Sequence, residues 1–63
     1  MSETYYGARA RQDGEYEGVV YTWDESGNHQ QWLFVSDPIV SREDAVDIAV
    51  EWADENGHNA QME

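Results

Sequence analysis

Apolar and polar residues alternate through the first third of the chain, a period of two that marks strand. TYYGARARQ (residues 4–12) and EYEGVVYTW (residues 15–23) are rich in aromatic and β-branched residues. They flank Asp13-Gly14, a dipeptide suited to a two-residue type I′ hairpin turn. Such a turn pairs Gln12 with Glu15 and sorts the side chains onto two faces. Thr4, Tyr6, Ala8, Ala10, Gln12, Glu15, Glu17, Val19, Tyr21 and Trp23 share one face, which we expect to be the core face. Tyr5, Gly7, Arg9, Arg11, Tyr16, Gly18, Val20 and Thr22 share the other. DESGNH (residues 24–29) reads as a second turn, and HQQWLFV (residues 29–35) as a third strand.

The period changes to that of a helix after Asp37-Pro38, which interrupts any strand and makes residues 36–40 a connection. Ser41 and Asp44 resemble a capping box with Asp in the place of Glu, and Gly57 stands where a glycine would end the helix. At 100° per residue, Glu43, Asp44, Asp47, Glu51, Asp54 and Glu55 fall within an arc of about 120°. Ile48, Trp52, Ala45, Ala49, Ala53, Val46 and Val50 fill most of the rest. The apolar side is expected to lie on the sheet, with Trp52 and Ile48 buried against Tyr6, Val19, Tyr21 and Trp23. HNAQME (residues 58–63) could add a short edge strand.

The predicted fold is therefore α+β: a three-stranded antiparallel meander in the order β-β-β-α, with one C-terminal helix packed on one face. Residues 1–63 form a single small domain, near the size at which one core becomes marginal. With no cysteine to staple it, stability must come from packing of three Trp, four Tyr and one Phe. One helix covers one face of a sheet, so Tyr5, Tyr16 and one pair from the third strand are expected on the open face beside Arg9 and Arg11. That face offers either a second small cluster or a contact for a weak homodimer; otherwise the chain is monomeric.

Charge adds what periodicity does not show. The chain has 14 Asp plus Glu against three Arg (Arg9, Arg11, Arg42), no Lys, and a net charge of −11. Direct binding to nucleic acid or an anionic membrane is disfavoured by sign, and a basic protein partner is the natural complement. The abundance of aromatic residues argues against disorder. The first residues carry no apolar leader, no run is long enough to span a membrane, and the lack of cysteine fits the cytoplasm.

Within the helix, Glu43 with Asp47, Asp47 with Glu51, and Glu51 with Glu55 are like-charge pairs four residues apart. Each costs about 0.2–0.5 kcal/mol. Asp54 and Glu55 also oppose the helix dipole at its C-terminal end. Local rules broken without a folding gain tend to mark function. Six charges over residues 43–55 span roughly 18 Å, or about one per 3 Å. One strand of B-DNA carries a phosphate per about 3.4 Å. This arc is therefore the candidate partner-binding face, with Asp13, Glu15, Glu17, Asp24 and Glu25 in the acidic turns and adjoining strand as secondary candidates.

The same composition, rich in Asp and Glu and without Lys, is that of salt-adapted proteins, in which carboxylates hold hydrated cations and no partner is required. Small haloarchaeal domains with a hairpin, a third strand and a helix look broadly like this chain. Enzyme motifs are absent. His29 and His58 lack metal-ligand spacing, DESGNH lacks the ligand order of a calcium loop, and no phosphate-binding glycine loop or nucleophile elbow occurs. A non-enzymatic protein is expected, without catalytic residues, metal or cofactor.

The acidic helix, the acidic turns and the small size together resemble anti-CRISPR proteins of phages and mobile elements that inhibit type I effector complexes. The resemblance is one of general character across the chain, without a shared motif. It implies a DNA mimic that occupies a nucleic-acid-binding groove on a Cas subunit in the host cytoplasm and keeps DNA out.

Overall fold

The computed structural model of the chain describes residues 3–24 and 26–63. Strands β1 (Thr4–Ala10), β2 (Tyr16–Trp23) and β3 (Gln30–Val35) form an antiparallel meander, followed by helix α1 (Arg42–Glu55) and the two-residue strand β4 (Gln61–Met62). The sheet order is β3-β2-β1-β4, with β4 parallel to β1. The α+β class, the meander and the covering helix are those expected, and the last residues do supply an edge strand. Among the described residues no helix is long and apolar enough to cross a membrane.

The hairpin register differs from the expected one by a single residue. Thr4 pairs with Thr22, Tyr6 with Val20, Ala8 with Gly18 and Ala10 with Tyr16. Arg11 donates its amide hydrogen to the Glu15 carbonyl at 2.8 Å, and Gly14 donates to the Arg11 carbonyl. The loop therefore holds three residues, Gln12 to Gly14, rather than two. A type I′ turn needs positive φ at both central residues, yet Gly14 has φ 87° and no non-glycine described residue has a positive φ. Asp13 stays in the ordinary backbone region, and Gly14 forms the left-handed bulge that follows a type I turn. A slip of one residue reverses every side chain of β2. Val20, Gly18 and Tyr16 thus face the helix with Tyr6 and Ala8, whereas Val19, Tyr21, Trp23 and Glu17 lie on the open face with Tyr5, Arg9 and Arg11.

The helix ends conform to their sequence signals. The Ser41 hydroxyl accepts from the Asp44 amide at 3.4 Å. At the other end Gly57, with φ 74°, donates to the Asp54 carbonyl while His58 donates to that of Ala53, a Schellman closure. The His58 ring then stacks on Trp52, 5.4 Å between centroids.

The buried stripe of α1 is Ala45, Ala49 and Ala53, not Ile48 and Trp52. With Val20 these alanines form the centre of the core, and Tyr6, Leu33, Phe34, Trp52 and Ala60 pack around it. Trp52 is half-buried on a flank, stacked on Phe34 at 5.0 Å, and Ile48 remains 38% exposed. The reason is the distance between the layers. A Cβ on Gly18 would stand 2.3 Å from the Ala45 carbonyl oxygen, so backbone approaches backbone and only small side chains fit between. A bulge in β3 opposite Val20 and Tyr21 brings both Leu33 and Phe34 toward the helix side.

Gly18→Ala should therefore destabilise by about 2–3 kcal/mol, lowering Tm by more than about 10 °C in a domain of this size. Gly14→Ala, which strains one turn in open space, should cost about 1 kcal/mol. Thermal melts of the two variants check the difference; equal melting would mean that the helix does not press on β2 at Gly18.

Candidate functional site: the acidic face of the helix

Helical geometry places the acidic arc opposite the stripe that seats the helix. The angular centre of Glu43, Asp44, Asp47, Glu51, Asp54 and Glu55 lies about 180° from that of Ala45, Ala49 and Ala53. All six carboxylates are exposed. Glu43 and Asp44 occupy the first turn, where the dipole favours them, and the last turn carries no basic residue to offset Asp54 and Glu55. The ion pairs among the described residues lie elsewhere: Arg11 with Asp13 at 3.1 Å and with Glu17 at 3.4 Å. The helix array is thus brought together on one surface, and among the described residues none of its carboxylates forms an ion pair.

The secondary candidates are not gathered beside it. Asp13 and Glu15 sit at the β1–β2 loop and Glu17 on the open sheet face, while Asp24 begins the β2–β3 turn at the far end of the sheet. Glu25 lies outside the described residues. Asp13 accepts from the Glu15 amide at 3.0 Å, and this bond, with the Arg11 guanidinium beside it, holds its carboxyl below the usual range. Asp24 accepts from the Ser26 hydroxyl and the Asn28 amide, with the same effect. Both carboxylates organise turns.

A groove of about 430 Å³ runs between the start of α1 and β4, lined by Gly7, Ala8, Arg42, Glu43, Val46, Asp47, Met62 and Glu63. It mixes one guanidinium with three carboxylates and brings no His to them. Among the described residues no group of three His, Cys, Asp or Glu side chains is placed to hold a metal ion.

The open face carries a second constellation that the expected register concealed. Tyr5 stacks on Tyr21, which meets Trp23 and Trp32 edge-on. Tyr21 is 5% exposed, and its hydroxyl donates to Glu63, whose side chain lies over Gly7. The Arg9 guanidinium covers Tyr21 at 5.6 Å and Trp32 at 5.1 Å from the ring centres. Of the residues expected here, Tyr5, Arg9 and Arg11 are present, but neither alternating pair of the third strand is, because the bulge at Leu33 puts Trp32 and Val35 on this face and Leu33 and Phe34 on the other. Tyr16 is instead on the helix side, its backbone bridged to Ile39. Shifting the register by one residue would have revealed the cluster in the sequence.

No known protein family, curated protein or solved structure matches this chain.

Burial, reinforced by the Glu63 carboxylate, pushes the Tyr21 hydroxyl from 10.0 up to about 12. Because the folded state holds its proton more tightly, this contribution to stability is complete below about pH 10 and is lost as pH rises toward 12. Melting between these limits should fall more steeply for the wild type than for Tyr21→Phe, and ultraviolet titration should show a late-ionising tyrosine that Tyr21→Phe lacks. Parallel curves would mean that Tyr21 is open to water.

Proposed function

We propose that the protein is a non-enzymatic interaction protein that presents its acidic helix to a basic, nucleic-acid-binding groove of another protein and excludes nucleic acid from it. The observation that carries this reading is the exposed row of six carboxylates, seated opposite the alanine stripe and unpaired among the described residues. A rigid helix holds them near the linear charge density of a nucleic-acid strand. The resemblance to small acidic anti-CRISPR proteins supplies the setting: a Cas subunit of a type I complex as partner, met in the cytoplasm of the host cell.

Replacing Asp47 or Glu51 by Lys converts like-charge contacts into favourable ones. Each variant should gain about 1 kcal/mol, or roughly 4–8 °C in Tm, while losing at least tenfold in competition with DNA for a type I surveillance complex. Melting and competition assays on the two variants read both effects. Variants that compete like the wild type would remove the helix as the binding face.

A second reading, salt adaptation with a structural or other interaction role, has its own support in the core. The buried hydrophobic residues on the helix side are Val20 and three alanines, little apolar volume to oppose a net charge of −11. Circular dichroism in dilute buffer and in molar KCl separates the readings. The mimic should be folded in both; a chain that folds only in concentrated salt owes its acidity to salt.

A further inference from the structure

The two edges of the sheet are treated differently. At one edge β4 pairs with β1 through Gln61 and Met62, so the chain covers that edge with its own segment. At the other, β3 has β2 on one side and, among the described residues, no strand on its outer side. Exposed edges are ordinarily blunted by Lys, Pro, an inward charge or a bulge; QQWLFV has no charge and no Pro, and its one such device is the bulge at Leu33. His29 accepts from the Asp24 amide and Ser36 donates to the Gly18 carbonyl. Alternation on either side of the bulge then turns the backbone groups of Gln30, Trp32 and Val35 outward.

Apolar surface flanks this edge on both faces. Trp32 and Val35 are 47% and 49% exposed on the open face, beside a hollow of about 230 Å³ that reaches Arg9 and Glu17. On the helix side Phe34, Ile39 and Ile48 line another of about 340 Å³. An added strand would set side chains beside both hollows, because successive side chains point to opposite faces.

The charge of the occupant follows from the surroundings. Trp32 already carries one guanidinium, that of Arg9, on its ring and is still 47% exposed. Asp24 and Asp37 bracket the strand, and the chain as a whole carries −11. A second copy of the chain would bring equal negative charge to the edge, whereas a cationic strand is attracted to it and can lay an Arg or Lys side chain on Trp32.

We infer that the outer edge of β3 is a docking site for an extended, arginine- or lysine-bearing segment of another protein, which adds to the sheet as a further strand. This does not depend on the acidic helix, and the two can be tested apart.

The probe is an eight-residue peptide of alternating Arg and Val, compared by calorimetry with an Arg-Pro peptide of the same charge, which lacks half of the amide hydrogens, and with a Glu-Val peptide. Arg-Val should bind at least tenfold more tightly than Arg-Pro, and Glu-Val should not bind. Amide exchange at Gln30, Trp32 and Val35 should slow when Arg-Val is present. Val35→Pro, which removes an outward amide, should weaken Arg-Val at least tenfold; if that variant fails to fold, Val35→Lys should do the same by repulsion. Asp47→Lys, on the helix face and away from both hollows, should leave the preference for Arg-Val over Arg-Pro unchanged, so a failure of the helix face is distinguishable from a failure of the edge. Equal binding of the two cationic peptides, unchanged amide exchange, or a β3-paired homodimer in sedimentation that excludes the peptide would each overturn the proposal.

Discussion

The contact on which the rest of the molecule depends is the approach of the helix backbone to β2 at Gly18. With the Ala45 carbonyl 2.3 Å from where a Cβ would stand, the two layers are closer than large side chains permit. Alanine must then recur every four residues along the seat of the helix, as it does at Ala45, Ala49 and Ala53. Most of the aromatic residues that a small domain needs for stability, Tyr6 and Tyr16 excepted, have no room between the layers. They are displaced to the flank, where Phe34, Trp52 and His58 stack in a row, and to the opposite side of the sheet, where Tyr5, Tyr21, Trp23 and Trp32 associate. The domain is stabilised by a thin aliphatic centre with aromatic clusters on either side of the sheet.

That arrangement explains how much of it was legible in the sequence. The helix was, because its limits rest on local chemistry: Ser41 caps the Asp44 amide, and Gly57 takes the positive φ that closes the last turn. Strand identity and the meander were also legible from period and turn residues. The hairpin register was not, since Asp13-Gly14 is compatible with either a two-residue or a three-residue loop. What decided between them was non-local. Gly18 must face the helix for the layers to meet, which forces Val20 inward and Val19 and Tyr21 outward. Volume misled in the same way, because the largest apolar residues of the helix were expected in the core, whereas the close approach reserves it for the smallest.

The acidic face was legible in full, since six positions on one helical arc need no tertiary information. The structure divides the carboxylates into two kinds. Asp13, Asp24, Glu17 and Glu63 hold a turn amide, a guanidinium or a buried phenol, so their negative charge contributes to the fold. The helix carboxylates hold no such group among the described residues, and their pairs at four-residue spacing oppose folding by a few tenths of a kcal/mol each. A surface under selection for stability alone would lose that repulsion readily, because exposed helix positions accept Lys or Gln at little cost.

The open face follows a different logic from the helix. Arg9 covers the centre of the aromatic cluster from within the chain, so Tyr21 is 5% exposed although it lies on the uncovered side of the sheet. At the cluster's edge this protection ends, because Trp32 lies on the outermost strand and keeps 47% of its surface in contact with water. A guanidinium on an indole is thus already part of how this surface is stabilised, and it stops where the outward backbone groups of β3 also lack partners among the described residues. Cation-accepting ring and unpaired strand edge coincide at one residue. A segment able to satisfy both must be extended and positively charged, and the excess of carboxylates over the rest of the molecule attracts the same sign.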